Sequence, residues 1–284
     1  MPRTWLARIQ VVEYLRSFLL GRTGWSRLGA LVIISGAFGL FRRDVVVEVG
    51  GLHLDCIGED AEFVTRVHRH MKDRGRDYEI VFIPEPVCWT EVPDDRVALA
   101  SQRRRWSRGL AEVLWLHRRM ILNRRYGAVG MVTLPYYLAF ELLGPVVELA
   151  GLVAVLVAFA LGIVSPLFAA LLAAAAIGYG VMLSLAAICA EELSYHRYHR
   201  WRDLGLMIAA AFVEQLGPRQ MQTWWRLQGL WGALRAKEAV WEPLARTGFG
   251  QTDPVSLAQL QTVATASPSH QAASADELPP EAGY

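Results

Sequence analysis

Residues 149–190 read LAGLVAVLVAFALGIVSPLFAALLAAAAIGYGVMLSLAAICA, and none of these 42 positions carries a charged side chain. A helix crosses the hydrocarbon core of a bilayer with about 20 apolar residues, so the run is long enough for two crossings. Gly162, Ser165 and Pro166 lie near its middle and are residue types that favour a turn. The run therefore predicts two membrane-spanning helices joined by a short turn.

Charged residues flank this run on both sides. Eight arginines lie between Arg103 and Arg125, and Arg197, Arg200 and Arg202 follow the run, whereas the turn within it has no charge. Because basic segments next to spans stay in the cytoplasm, both ends of the hairpin are predicted to be cytoplasmic. Hydrophobic residues make up 53% of the chain, which is more than an ordinary soluble domain contains.

Changes in composition divide the rest of the chain. An α/β fold is expected for the first segment, with strand candidates at residues 30–41 and 78–93. Residues 204–218 are apolar but too short for a simple span, and predict either a re-entrant helix or a kinked span. The expected segments are a partial soluble α/β domain (1–93), interfacial amphipathic helices (94–130), two or three transmembrane helices (131–230), a C-terminal interfacial segment (231–249) and a disordered tail (250–284).

The tripeptide GED, at Gly58, Glu59 and Asp60, is the first candidate for chemistry. Acidic residues in the first turn of a helix favour the helix dipole, which is a purely structural interpretation. In the functional interpretation, Asp60 is a general base that accepts a proton from a hydroxyl nucleophile.

The sequence QRRRW gives a second candidate. On a helix, Gln102, Arg105 and Trp106 share one face because they stand at positions i, i+3 and i+4, while Arg103 and Arg104 point elsewhere. A guanidinium binds phosphate oxygens in a bidentate way, and an indole offers an apolar face to a sugar ring. The alternative is that all these arginines contact lipid headgroups or solvent.

Two further sites stay open between packing and substrate contact. Ser35 and Gly36 follow the first strand candidate, where small residues either permit tight packing or let a substrate approach the backbone. Trp89, in the second strand candidate, either packs internally or lines the same cleft.

The ordered set SGAFG, GG, GED, WTEVP and QRRRW, followed by an interfacial helix and spans, resembles the membrane-embedded family 2 glycosyltransferases. These include the bacterial cellulose, hyaluronan and poly-N-acetylglucosamine synthases. Gln-x-x-Arg-Trp, at Gln102, Arg105 and Trp106, is similar to the signature of processive members. The pair Glu59–Asp60 is similar to the family pair whose aspartate is the catalytic base.

The resemblance implies a GT-A domain at the cytoplasmic face of a multi-pass protein of the bacterial inner membrane. Its reaction would be inverting transfer of a sugar from a nucleotide-sugar, typically a UDP-sugar, to a growing polysaccharide, with Mg²⁺ or Mn²⁺ at the diphosphate. Asp60 would be the base, Arg105 would offset diphosphate charge and Trp106 would line the acceptor site. The other substrate-binding residues implied are Glu59, Gln102, Ser35, Gly36 and Trp89. The implied partners are a nucleotide-sugar, a glycan acceptor and the lipid bilayer, without nucleic acid.

The chain departs from the family pattern at its start. No aspartate precedes Asp44, and no Asp-x-Asp occurs anywhere, so the metal ligands of the family are absent from this sequence. The expectation is therefore the C-terminal, acceptor-side half of a synthase, whose partner would be the missing half or another synthase subunit. The alternatives are a non-catalytic membrane subunit or remnant of a synthase, and a small transporter or regulator unrelated to sugar transfer.

Overall fold

The computed structural model describes residues 2–53, 55–85, 91–194 and 200–235. Helices form most of this part of the chain. The α-helices are α1 (Trp5–Tyr14), α2 (Arg22–Arg27), α3 (Arg43–Glu48), α4 (Glu59–Asp73), α5 (Arg96–Leu116), α6 (Leu134–Tyr136), α7 (Gly144–Ala160), α8 (Pro166–Ser194), α9 (Trp201–Gln215) and α10 (Pro218–Leu234). Three π-helical segments join them, at Leu15–Gly21, Val129–Thr133 and Tyr137–Leu142, and short 3₁₀ turns lie at Arg118–Met120 and Arg124–Tyr126.

The predicted α/β domain is wrong, because the described residues contain no β-strand. In the first strand candidate, backbone acceptors are taken by side chains instead of a neighbouring strand. The Leu31 carbonyl lies 2.9 Å from His68 Nε2, and the Ile34 carbonyl accepts from Arg22 at 3.3 Å. In the second candidate, the Phe82 N–H donates to Ser26 Oγ at 2.9 Å. Apolar β-type sequence therefore packs here without a sheet.

Three apolar clusters hold the helices together. One joins α1 and the π-helix after it to α8 and α9, through Ile9, Val12, Leu15, Leu19, Ala187, Ile188, Met207, Ala210 and Ala211. A second joins α5 to the segment that follows it, through Ala30, Val32, Leu114, Met120, Tyr126, Val129, Leu134, Tyr137 and Leu142. The third packs Val49 against Phe63, Val64, Val67 and Met71, which form the buried face of α4.

The apolar run forms α7 and α8, with a break at the predicted turn. In the described part of the chain, α8 is the one helix that is by itself long and apolar enough to cross a membrane. Val129–Leu142 and Gly144–Ala160 pass the same test together, and they are bent by 41° at the break between them. By length and composition the structure thus offers one span, or two if the bent pair is a single span, rather than the two or three expected.

Candidate functional site

The turn before α4 is fixed against α5 by close backbone packing. A Cβ atom added to Gly109 would lie 3.0 Å from the Gly58 backbone nitrogen, and one added to Gly58 would lie 3.2 Å from the Gly109 backbone, so a side chain at either position would be tightly packed. The Ile57 N–H donates to Glu112 Oε2 at 3.0 Å, and the same carboxylate accepts from Arg108 at 2.9 Å. These contacts bring the start of α4, and Asp60 with it, to the helix that carries QRRRW.

Asp60 lies in a partly buried position beside Gly36. A Cβ atom at Gly36 would lie 3.3 Å from Asp60 Oδ2, so the small residue permits this approach. Burial raises the pKa of Asp60, while the N–H groups of Ala61 and Gly36 and the cation of Arg22 oppose the rise. The structure thus brings together Gly36 and Asp60, two residues that the sequence singled out separately.

Arg22, which no sequence motif indicated, links Asp60 to an aromatic surface. Its guanidinium carbon lies 3.9 Å from the centre of the Phe18 ring, and its side chain is buried. Burial lowers the pKa of Arg22, and the nearby Asp60 counteracts this. Phe18 stacks on Tyr14 at 4.5 Å and lies 6.4 Å from Trp106 between ring centres. Ring contacts therefore run from Arg22 through Phe18 to Trp106, and Asp60 acts on Arg22 electrostatically.

Trp106 forms one side of this surface and is 40% exposed, which leaves part of the indole accessible. Its ring centre lies 6.5 Å from that of Tyr14. Burial raises the pKa of the Tyr14 hydroxyl to about 12, so this tyrosine stays neutral at physiological pH. Three aromatic rings next to a buried cation form a surface suited to the apolar face of a sugar.

Arg103 behaves differently from the expectation that it would contact headgroups or solvent. It is buried, and its two terminal nitrogens donate to Glu13 at 2.5 and 2.9 Å. Its guanidinium carbon also lies 4.6 Å from the Trp106 ring centre. The pair fixes α1 to α5 and holds Trp106 in place.

The other predicted residues within the described part of the chain lie on α4, on α5 or next to Gly36. Gln102 is buried on α5, and its Oε1 has no hydrogen-bond partner among the described residues. Arg105 and Glu59 are half-buried, on α5 and at the first position of α4. Ser35 Oγ accepts from the Ala37 N–H at 3.4 Å, next to Gly36. Trp89 lies outside the described residues.

Glu62 holds a buried ion-pair network behind Asp60. Its carboxylate accepts from Arg66 at 2.9 Å and lies 3.3 Å from His117 Nε2, at the end of α5. Burial alone would raise the pKa of Glu62, but the hydrogen bonds from His117 and Arg66 outweigh this and hold it at about 2. Arg66 also donates to the Val49 and Gly51 carbonyls. The spacing of Glu62 and Arg66, four residues apart on a helix, was the one sequence signal for this network.

His68 is also buried on α4 and was not singled out from the sequence. Its Nε2 lies 2.9 Å from the Leu31 carbonyl and its Nδ1 lies 2.7 Å from the Tyr78 hydroxyl. A neutral ring satisfies both contacts, with Nε2–H as donor and Nδ1 as acceptor. Burial lowers the pKa of His68 to about 4.

A divalent metal does not fit this site. The described residues contain no group of three or more His, Cys, Asp or Glu side chains that could hold an ion. Glu62, the acidic side chain two positions after Asp60, is committed to Arg66 and His117. The described part of the chain therefore gives no structural basis for a Mg²⁺ or Mn²⁺ site, although family 2 glycosyltransferases generally use divalent metals.

Helix α10 packs along α5 and neutralises two acidic residues in the apolar region. Arg226 pairs with Glu141 at 2.8 Å, and Arg219 lies 3.3 Å from the Glu148 carboxylate. The Arg226 carbonyl also accepts from Ser107 Oγ of α5 at 2.8 Å. Both glutamates thus serve helix packing.

Comparison with known proteins agrees with the motif order. The sequence profile of the family described as "Glycosyl transferase family group 2" matches residues 2–183. The chain is similar to the poly-beta-1,6-N-acetyl-D-glucosamine synthases of Staphylococcus epidermidis strain RP62A and Staphylococcus aureus strain COL, with 36% identity over 109 residues in each case. This similarity covers 38% of the chain and 25% of each relative, so the matched part spans about a quarter of the curated relatives' length. No solved structure matches the chain.

The matched span includes the site described above. It contains Gly36, Asp60 and the QRRRW sequence together with α7 and most of α8. The match begins at residue 2. It therefore does not support the expectation that the chain is only the C-terminal half of such a domain. More than half of the sequence is matched, and the chain belongs to glycosyl transferase family group 2.

Proposed function

We propose that this chain catalyses transfer of a sugar from a nucleotide-sugar, most simply a UDP-sugar, to a growing polysaccharide, and that its described residues form the acceptor side of the site. The observation that supports this is the series of ring contacts from Arg22 through Phe18 to Trp106, together with the electrostatic influence of Arg22 on Asp60. A cation and an aromatic surface thus lie side by side, and the cation acts on the Asp60 carboxylate. A poly-N-acetylglucosamine chain is the product class suggested by the curated relatives.

Asp60 is the proposed general base. A carboxylate with a raised pKa is a stronger base than an ordinary aspartate, because its proton affinity is closer to that needed at neutral pH. It would accept the proton of the acceptor hydroxyl as that oxygen attacks the anomeric carbon of the sugar. The cation of Arg22 limits the rise in the pKa of Asp60, which favours the ionised form of the carboxyl group.

The binding roles follow from the side chains around Asp60. Trp106, with Tyr14 and Phe18, would stack on the acceptor sugar. Arg105, one position before Trp106, is the proposed ligand of the departing diphosphate, because guanidinium groups bind phosphate oxygens in pairs. Ser35, Gly36, Glu59, Gln102 and Trp89 are proposed to line the remainder of the substrate site.

In this proposal the chain lies in a membrane. Helix α8 and the bent pair before it would cross the bilayer, with the candidate site on the cytoplasmic side of a bacterial inner membrane. Residues 94–130 would lie at the interface and residues 131–230 would include the spans. The bilayer, a glycan acceptor and a further synthase subunit are the proposed partners.

A second candidate function is a non-catalytic subunit of a polysaccharide synthase. It is favoured by the absence of Asp-x-Asp in the sequence and of a metal-ligand cluster in the described residues. In that case the aromatic surface binds glycan while another polypeptide supplies the donor site. The two candidates make opposite predictions for the isolated chain.

The test uses the purified full chain in nanodiscs with radiolabelled UDP-N-acetylglucosamine, an oligosaccharide acceptor and Mg²⁺ or Mn²⁺. We expect incorporation of label, with a loss of about 10²- to 10⁴-fold in Asp60→Asn, because that variant lacks the general base. Asp44→Asn, which alters an exposed aspartate paired with Arg42, is the matched control and should keep activity. Glycan binding without turnover in the parent chain would favour the subunit, and retained turnover in Asp60→Asn would remove Asp60 as the base.

A further inference from the structure

A basic cleft lies away from the candidate active site, between the start of α1 and the start of α9. It has a volume of about 260 Å³. Its lining residues are Pro2, Arg3, Arg8, Arg200, Arg202, Asp203 and Leu206. Four arginines and one aspartate give this small cleft a net charge of +3.

Within the described residues, Asp203 is the one acidic side chain that lines the cleft beside its four arginines. The guanidinium groups of Arg3, Arg200 and Arg202 form no ion pair with the described residues. This contrasts with Arg16, Arg66 and Arg103, each of which has a carboxylate partner. Like charges held close together repel one another, so such a cluster is most stable with an anion bound.

One of the four arginines is held in place. Arg8 Nε donates to the Pro2 carbonyl at 2.9 Å, and its guanidinium carbon lies 5.0 Å from the Trp5 ring centre. Helix α1 packs directly on α9, so the two sides of the cleft are joined by the apolar cluster beneath them. The cleft is therefore part of the fold and not a chance approach of two loose termini.

The position of the cleft points to a membrane surface. Its second side begins at Arg200, six residues after the end of the apolar helix α8. Trp5 is 46% exposed and Trp201 is 87% exposed, and the two indoles flank the arginines. Exposed tryptophans beside basic residues at the end of an apolar helix are typical of the headgroup level of a bilayer.

We propose that this cleft binds a phosphate group, with the arginines as bidentate donors to its oxygens and the tryptophans against the adjoining acyl region. Arginine matches phosphate geometry with pairs of parallel N–H donors, and this recognition needs no other chemistry. The phosphate is that of an anionic lipid headgroup or of a soluble phosphate ion. The site is separate from Asp60 and does not depend on the proposed glycosyl transfer.

The test measures binding to the full-length protein in detergent by microscale thermophoresis. The probes are dioctanoyl phosphatidylglycerol, dioctanoyl phosphatidylcholine and inorganic phosphate. We expect phosphatidylglycerol to bind at least about tenfold more tightly than phosphatidylcholine, whose headgroup has no net charge. The double variant Arg3→Gln/Arg202→Gln should weaken that binding roughly 25-fold, about fivefold for each arginine near an anionic headgroup.

The control is Arg27→Gln/Arg43→Gln, which removes two exposed arginines that do not line the cleft. It should bind phosphatidylglycerol as the parent does. Inorganic phosphate that binds as tightly as the lipid and competes with it would identify a soluble ligand for the same phosphate site. Equal losses in both double variants, or no loss in Arg3→Gln/Arg202→Gln, would overturn the proposal. Unfolding temperatures without ligand show whether each variant is folded, and Arg200→Gln provides a second, single-site variant.

Discussion

Helices α4 and α5 differ from α7 and α8 in the side chains that they bury and expose. The first pair buries charged groups, and Glu62 and Arg103 each have partners at hydrogen-bond distance. The second pair contains the charge-free residues 149–190, and many of its large apolar side chains are exposed, among them Leu152, Val153, Leu156, Leu167, Phe168 and Leu171. Soluble proteins rarely expose so large an apolar area, and such a surface is typical of contact with lipid or with another protein. Buried ion pairs thus characterise α4 and α5, and exposed apolar side chains characterise α7 and α8.

The glycines show the same contrast. Gly58, Gly109 and Gly229 lie where a Cβ atom would meet backbone of a neighbouring segment. Gly151 in α7 and Gly178 in α8 have no atom within 4 Å of such a Cβ. Backbone therefore packs closely at these three glycines, whereas α7 and α8 have open space at Gly151 and Gly178. Gly180 in α8 differs from these two, because its Cβ would overlap the Gln215 side chain.

Removing the charge of Glu62 gives the largest expected effect on stability. Glu62→Gln should lower the free energy of unfolding by about 3–5 kcal/mol, because Arg66 and His117 would lose their common buried partner. Glu79→Gln, at an exposed position, is the control and should change little. Denaturant unfolding in detergent measures both. Equal stability in the two variants would mean that the ion pairs do not specify this region.

The pH dependence of stability offers a sharper measure of burial at α4. Because the pKa of His68 is about 4 in the folded chain and 6.5 for an unperturbed histidine, the unfolded chain binds more protons between these values. The contribution of His68 to the free energy of unfolding is fully present above pH 6.5. It falls as the pH drops towards 4, by up to about 3 kcal/mol. Unfolding at a series of pH values should show this slope, and His68→Gln should abolish its contribution. An unchanged slope in the variant would assign it to other groups.

Adding one methyl group to each region compares their packing directly. In Gly229→Ala the new Cβ would overlap the Arg104 carbonyl oxygen, which should cost about 1–3 kcal/mol. In Gly178→Ala the methyl group meets open space on α8, so stability should rise by up to about 1 kcal/mol from helix propensity. Thermal unfolding in the same detergent measures both variants. If Gly178→Ala were destabilised as much as Gly229→Ala, the proposed difference in packing between the two regions would be wrong.

The smallest predicted effect concerns the acid side of the pH–activity profile. Arg22 lowers the pKa of Asp60, so Arg22→Gln should raise that pKa further and move the acid limb of the profile to higher pH. The measurement is transfer activity against pH in the nanodisc assay. A conservative Arg22→Lys variant should restore most of the original profile. If the limb does not move in Arg22→Gln, either Asp60 is not the titrating base or Arg22 does not act on it.

Local patterns in the sequence predicted the helical parts of this structure. The charge-free run predicted α7, α8 and the break between them. The buried face of α4 also follows a local pattern, because Phe63, Val64, Val67 and Met71 stand at helical spacing. The expected strands failed because β-type composition does not specify a partner strand, and His68 and Arg22 occupy the backbone acceptors there. Periodicity describes one element at a time and cannot supply such contacts.

The candidate site was predictable only in part for the same reason. Motif order brought Asp60 and QRRRW into one hypothesis, and the glycine contact at Gly58 and Gly109 explains how they approach. Arg22 was not predictable, because its relation to Asp60 depends on packing between segments distant in sequence. Arg103 was grouped with surface arginines, since nothing near it in the sequence pointed to Glu13.

The Glu13–Arg103 pair joins positions 90 residues apart in the chain. We expect that replacing either partner alone destabilises the chain, because the remaining charged side chain would be buried without an ion-pair partner. Chimaeras that replace the first helix with that of a relative should therefore assemble only when the donor segment supplies an acid at the equivalent position. The double variant Glu13→Arg/Arg103→Glu keeps two opposite charges at these positions, so it should be more stable than either single variant.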